Sequence, residues 1–466
     1  MTFIVFTLGL LAVDAELTTT TDPAVVKIGR ADVIRMTAEN PQIDSTYAEV
    51  LRAQAQQGRV EAAQYPSLVA NMLLFTSLAA ENSDNGENGV RSRNGAYRDF
   101  NIDQVRPGVR GDVTGVLPLY TFGKIGLREK AALAAERAGV AQTELTRATV
   151  IFDAVEIYEG YLLAREFYVF LQDVKGIGQR SVESTKARLE VADPDTRRGD
   201  LLRLQTSLKL AETLENQVKA GMAQALEGLR AYLSIPPGVE IEVVDETLEP
   251  VSAEPTRLED MIALARDNRA EFAALTAGIN AYQFLADAER ADYYPDFFLG
   301  GYVSGAYTPD RDWLQSRYVL DPFGHFVAGG GVGLRWTLDW DGASHRSDEV
   351  MADMYKLEGL LRWAKQGIPA EVNLVFQEVQ RARADITAFE EGLPAAREWL
   401  LRATTDFSTG LGPSYEVTDA VTQFVLLNSG RIEAVYRLNR SLAELAKVTG
   451  TLTDGQSPLY PGEGAQ

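Results

Sequence analysis

No cysteine occurs among the 466 residues, which excludes disulfides, thiol catalysis, cysteine-ligated zinc and a lipidated N-terminal cysteine. Histidine is nearly absent too: only His325 and His345 are present, so a histidine triad or metal site would have to be built from two residues. Positive charge is scarce, with 45 basic against 66 acidic residues and a net charge of −21. A surface that acidic repels phosphate backbones and argues against a nucleic-acid partner. No stretch approaches the ~18 consecutive apolar residues of a membrane-spanning helix. Enzyme chemistry starts from poor ground.

Apolar residues nevertheless make up 45% of the chain and charged residues 24%, which is too apolar for disorder. The N-terminus carries the apolar run Phe3 to Val13, followed by Val13-Asp14-Ala15 with small residues where an A-x-A cleavage site needs them. No Lys or Arg precedes Lys27, so a basic n-region is missing. Residues 1–15 read as an export signal.

An internal repeat explains the length better than three domains do. Asp32-Val-Ile-Arg-Met-Thr-Ala-Glu-Asn40 with Tyr65-Pro66 returns as Glu259-Asp-Met-Ile-Ala-Leu-Ala-Arg-Asp-Asn268 with Tyr294-Pro295, at offsets of 228 and 229. Leu119-Tyr-Thr-Phe-Gly123 matches Leu338-Asp-Trp-Asp-Gly342 at 219, the drop falling at the Asn/Gly-rich stretch Glu81 to Asn94. The predicted divisions are a signal (1–15), a first repeat (16–240), a linker (241–255), a second repeat (256–450) and a C-terminal tail (451–466).

Within each repeat the period changes. Residues 31–64 and 256–293 are Ala-rich and helical in pattern, and proline then punctuates. Alternation of period two follows. Val332, Leu334, Trp336, Leu338 and Trp340 face one way; in the first repeat Val109, Gly111, Val113, Gly115, Leu117 and Leu119 alternate with Arg110, Asp112, Thr114 and Val116. Residues 67–78 and 297–307 are the partner strands. Each is long enough for a tilted transmembrane strand of about 9–11 residues. Twelve of the 48 residues from Tyr293 to Trp340 are aromatic, against 9% overall, which suits either membrane girdles or a β-sandwich core. Four strands cannot close a barrel, so either copies of the chain combine or the strands lie outside a membrane.

The following helices are long. Lys124 to Glu190 and Ala343 to Thr409 have few breakers, and the second keeps a 3-4 apolar spacing from Leu357 to Leu400. That is a coiled-coil seam, with bends or breaks expected at Pro369 and Pro394. Gly/Pro turns at Asp193–Gly199 and Thr409–Pro413 lead into returning helices at 200–233 and 414–449.

This order, repeated once, resembles the TolC-like outer-membrane efflux family over about residues 28–450. Its carriers are Asn40-Pro41, Tyr65-Pro66, Pro118-Leu-Tyr-Thr-Phe-Gly123, Thr409-Gly-Leu411 and Val417-Thr-Asp419-Ala420. The resemblance implies an α+β membrane protein: a trimer whose four strands per chain form one shared transmembrane β-barrel, continued by an α-helical coiled-coil tunnel across the periplasm. It implies an exit duct of a tripartite efflux pump or type I secretion system, with a periplasmic adaptor and an RND or ABC inner-membrane pump as partners, and no cofactor. It also places the linker at an equatorial region. The lipidated cysteine of many relatives is absent, and the first tip turn lacks the family's Val-Gly pair. An exported coiled-coil rod or adhesin is the competing class.

Two candidate sites follow. Thr409, Gly410 and Leu411 form the turn on which the resemblance implies adaptor docking. Glu416 and Asp419 lie three apart on one helical face, and Asp419 matches an aspartate of the family's aperture motif. Three copies would make an acidic ring; acidic residues at a helix start also simply complement its dipole. The first-repeat positions, Asp200 and Arg203, do not double the ring. Gly329-Gly-Gly-Val-Gly333 lies inside a strand and leads to no helix, so it is not a phosphate loop. His325 and His345 are expected in loops or interfaces, and no metal site is expected.

Overall fold

The computed structural model describes residues 25–83, 97–193, 196–314, 320–452 and 457–460. The expected signal, most of the Asn/Gly-rich stretch, Pro194 and Asp195 of the first turn, Tyr318, and most of the C-terminal tail lie outside the described residues. The elements are β1 (Val25–Ile28), α1 (Arg30–Met36), α2 (Pro41–Ala62), β2 (Ser67–Ser83), β3 (Tyr97–Tyr120), α3 (Lys124–Glu190) and α4 (Arg198–Tyr232). Then come β4 (Glu240–Val243), α5 (Leu258–Asn268), α6 (Ala270–Ala291), β5 (Asp296–Tyr307), β6 (His325–Arg335), α7 (Trp340–Thr409) and α8 (Ser414–Val448). The helix, strand pair, long helix and returning helix recur in order. The prolines act as punctuation: Pro41 opens α2 at a position where its missing N–H costs nothing, and Pro66 and Pro295 immediately precede β2 and β5.

The chain forms two compact units, residues 42–147 with 259–372 and residues 1–41 with 148–258 and 373–466. The first holds α2, α6 and one antiparallel sheet of order β2-β3-β5-β6. Its register is continuous: Met72 opposes Gly111, Val113 opposes Val303, and Leu299 opposes Val332, with shifts only at Leu78/Ala79 and Pro118/Tyr120. β3 runs 24 residues, about twice the expected length. Conversely, β6 stops at Arg335, and the alternation read through Trp340 is not strand to its end. Asp339 ends it: its carboxylate accepts from the Gly342 amide at 3.1 Å and its carbonyl from Ala343, starting α7.

The second unit contains α4, α8, the later parts of α3 and α7, and a two-stranded parallel sheet of β1 and β4. The residues read as a linker thus supply a strand, Ile241 and Val243 being buried against Val26 and Ile28's pairing line. At 1.5 Å per residue the 67-residue α3 is about 100 Å long. Of the bends or breaks expected at Pro369 and Pro394, no break occurs: the 70-residue α7 is continuous through both. The seam compensates for each lost hydrogen bond. Of its thirteen apolar positions nine are buried, Ile368, Val372, Ala396 and Leu400 among them, next to the prolines.

Candidate functional site: a two-faced sheet and an acidic helical tip

Because side chains alternate, the register sorts every strand residue to one face. Leu68, Met72 and Leu74 of β2 share a face with Val109, Val113 and Leu117 of β3, Leu299, Val303 and Tyr307 of β5, and Phe326, Val332 and Leu334 of β6. No position of that face from Leu68 to Leu78, or along its partner strands, is charged. Met72, Leu74 and Val332 are more than 70% exposed. In water such a surface would be an aggregation liability; against lipid it is stable. Phe297 and Tyr307 end the band, ten residues apart. At about 3.3 Å per residue and a tilt near 40°, that is roughly 25 Å, the height of an outer-membrane apolar band. Below Phe297, Phe122 stacks on Tyr294 at 5.0 Å and meets Tyr120 edge-on at 4.7 Å, an aromatic cluster of the kind that forms a girdle.

Over those segments the opposite face holds all the charge, interspersed with apolar residues such as Leu73, Phe75 and Phe298. It carries Asn71, Arg106, Arg110, Asp112, Thr114, Ser304, His325 and Arg335. Arg110 pairs with Asp112 at 3.0 Å, the Ser304 hydroxyl donates to Asp112, and Ser304 Oγ lies 2.9 Å from His325 Nε2. His325 therefore opens β6 as a buried strand residue, not a loop residue, whereas His345 is exposed on α7. The Gly329–Gly333 run sits inside β6, where a Cβ at Gly333 would come within 2.5 Å of the Phe298 ring. Its role is close packing.

The chain after β5 crosses this charged face. Thr308 and Phe323 lie over Gly108 and Phe75, and Asp310 pairs with Arg106 at 2.8 Å. Arg311 is nearly buried. It binds both oxygens of Asp321 at 2.7 and 3.0 Å and donates to Ser77 Oγ and the Leu78 carbonyl. Beyond it the chain reaches the outer edge of β2, where Ala80 donates to Asp310 and accepts from Asp312. Nothing in the sequence pattern marked this strap.

In the second unit, α7 closes with Gly410 at φ +83°, and the amides of Leu411 and Gly412 return to the Asp406 carbonyl at 2.8 and 3.0 Å. Arg188 of α3 stacks on Phe407 at 4.8 Å, and a Cβ at Gly410 would lie 2.9 Å from its guanidinium. Leu411 is 83% exposed. Val417 and Ala420 are buried against Leu400, Ala403 and Phe407, which fixes the start of α8. Glu416 is half-buried one residue before this core, and Asp419 is exposed one turn on. Among the described residues neither carboxylate makes a side-chain hydrogen bond or ion pair within the protomer.

The contrast with the first repeat is physical. Asp200, third residue of α4, bonds back to the Arg197 amide at 3.1 Å and so is used as a cap. Glu416 holds the same place in α8, but the cap residue there is Pro413, which has no N–H to receive it.

The second unit also contains a buried polar cluster that the sequence reading missed. Glu159 is fully buried. It accepts from Arg30 Nε at 2.8 Å, Tyr460 Oη at 2.6 Å and Asn439 Nδ2 at 2.9 Å. Asn439 also donates to the Glu249 carbonyl and accepts from the Val251 amide. Burial and the neighbouring Glu159 carboxylate push the Tyr460 phenol well above its usual range. The only sequence signal was Glu159 within the largely apolar stretch Ile157 to Leu163.

The sequence profile of the outer membrane efflux protein family matches residues 261–451. Among solved structures, CusC, studied for its folding and transmembrane channel formation, superposes with a TM-score of 0.70 at 14% identity over 93% of this chain and 95% of that one. The open-state MtrE outer membrane channel of Neisseria gonorrhoeae gives 0.67 at 15%, over 91% and 90%. The outer membrane protein VceC of Vibrio cholerae gives 0.65 at 16%, over 90% and 96%. No curated protein sequence matches the chain. The outer membrane efflux family pattern is thus present in the second repeat, and along about nine-tenths of its length the chain has the fold of these outer-membrane proteins.

Proposed function

We propose that the chain is the exit duct of a tripartite efflux pump or type I secretion system, conducting passively what an inner-membrane pump and periplasmic adaptor deliver. The observation that carries this reading is the two-faced sheet, uncharged and apolar on one side and bearing its charged residues on the other. Four strands with free edges at β2 and β6 need further copies to close. Three copies give twelve strands, with the charged faces around a lumen. An exported rod or adhesin has no use for an apolar, lipid-height band.

The turn Thr409-Gly410-Leu411 is the proposed adaptor contact, supported by its exposure and by the apolar side chain it presents. Glu416 and Asp419 are proposed to ring the periplasmic aperture, supported by their lack of partners within the protomer and by the absent capping bond. The decisive experiment is reconstitution of the detergent-purified protein in planar bilayers, with its migration compared before and after heating. Heat-modifiable trimers that form discrete conductance steps support the duct. A soluble protein with unshifted migration and no conductance refutes it.

A further inference from the structure

We infer that the strap following β5 is a register stop: it caps the outer end of β2 so that a second copy's β6 can pair with β2 in one register only. The inference rests on the trimeric reading above and specifies the seam within it.

β2 spans Ser67–Ser83, and among the described residues its edge away from β3 has no partner strand in the protomer below Ala80. From Ala80 outward that edge is occupied in cis. Ala80 exchanges two backbone hydrogen bonds with Asp310 and Asp312, and Asn82 donates through its amide to Asp312 and through its side chain to the Trp313 carbonyl, at 2.9 and 2.8 Å. The buried Arg311–Asp321 pair, with Arg311 also holding Ser77 and the Leu78 carbonyl, fixes the strap there. At the inner end Pro66 has no N–H to give a partner. What remains open is Ser67 to Leu78, twelve residues, against the eleven of β6.

Face matching then selects the register. A shift of one residue would turn the apolar face of β6 to the lumen, so only even shifts are permitted. Pairing Ser67 with Arg335 and Ser77 with His325 uses all of β6. It sets Leu74 opposite Ala328 and Ala70 opposite Val332, large against small on the lipid face. Sliding the partner outward by two drives His325 against Ala79, at the bulge and into the strap. Sliding inward by two puts strand residues opposite Tyr65 and Pro66.

The absence of native cysteine makes a direct test possible. Full-length chains carrying Ala328→Cys are combined with Leu74→Cys, Met72→Cys or Thr76→Cys, oxidised as trimers, and run unreduced. Directly opposed residues lie about 4.5–5.5 Å apart between Cα atoms and can bridge, whereas diagonal ones at about 7–8 Å cannot. Covalent dimers and trimers with Leu74→Cys alone are expected. Bridging through Met72→Cys or Thr76→Cys instead overturns the register while leaving barrel closure intact. No bridging in any pair, in chains that run as trimers, overturns the β2–β6 seam itself. Adding Arg311→Ala, or Arg311→Lys where the alanine variant does not assemble, is expected to release the stop and produce bridging through Thr76→Cys. If Leu74→Cys remains the sole bridging partner in those variants, the strap is not the stop.

Discussion

Replacing Glu159 by glutamine tests whether the buried cluster holds the β1–β4 region together. The carboxylate takes three hydrogen bonds from three segments remote in sequence: Arg30 after β1, Asn439 in α8 and Tyr460 near the C-terminus. Glutamine keeps the shape and removes the charge, and its NH2 must then face another donor. The Arg30 guanidinium, whose side chain is 22% exposed, loses its paired carboxylate. Breaking one partner of a buried pair costs about 3–5 kcal/mol. Tyr460→Phe removes a single bond to a charged acceptor, about 1.5–3 kcal/mol. Hydrogen exchange of the β1 and β4 amides, read by mass spectrometry on full-length trimers, reports the local opening. At 1.4 kcal/mol per tenfold, Glu159→Gln should accelerate exchange at least about a hundredfold and Tyr460→Phe about tenfold or more. The double variant should fall short of the sum, because both substitutions remove the same contact. Exchange within threefold of the parent protein in Glu159→Gln would refute the keystone role.

Tyr460 also predicts an alkaline signature: its pKa is raised on folding, so its contribution is complete below about pH 10 and is lost as pH rises further, and Tyr460→Phe should flatten this loss in thermal melts. Glu215 works in the opposite direction. Hydrogen bonds from Lys175 and Lys219 lower its carboxyl to about 2, so its contribution is present above about pH 4.5 and is lost as pH falls towards 2. The difference in melting temperature between the parent and Glu215→Gln should therefore shrink across that window. Leu411→Asp should abolish pump-dependent export, measured by substrate retention in cells, at unchanged trimer levels; unaltered export would place docking elsewhere. Glu416→Gln with Asp419→Asn should lower cation selectivity and remove block by multivalent cations added to the periplasmic side of single channels. Carboxylates brought within 4 Å of one another would repel by about 4 kcal/mol per pair at an effective dielectric of 20, and bound cations relieve this. Unchanged selectivity and block would reduce both residues to helix-start charges.

Local patterns carried the architecture into the sequence. Prolines at 41, 66 and 295, period-two alternation, and the 3-4 seam of α7 are read from neighbours a few positions apart, and each appears in the fold. What stayed hidden depends on partners far along the chain. Arg311 is an ordinary loop arginine until the register brings Ser77 and Leu78 beside it. Glu159 needs residues 129 and 301 positions away to explain its burial. At Pro369 and Pro394 local rules allow a bend or a break, and it is the buried seam, set by partners elsewhere, that keeps the helix continuous. The end of β6 did mislead: Trp336, Leu338 and Trp340 keep the alternation, but the strand stops at Arg335 and the Asp339 cap starts a helix at Trp340.

The two repeats fold alike without doing the same work. The first tip turn has Asp200 engaged with the Arg197 amide, while the second offers Glu416 behind a proline that cannot be capped. That departure falls in the second repeat, where the family pattern is also legible. The two turns therefore differ in one local respect: the acidic third residue of the helix is engaged as a cap in the first and left without a cap donor in the second. Substitutions that copy Asp200 into position 416, as Glu416→Asp, should leave assembly unchanged because Pro413 still withholds its amide. Adding Pro413→Ser restores a donor at the cap, and the shorter carboxylate can then bond to it as Asp200 does. Block by multivalent cations should weaken in that double variant and persist in Glu416→Asp alone. Equal block in both would show that the proline is not what keeps the carboxylate available.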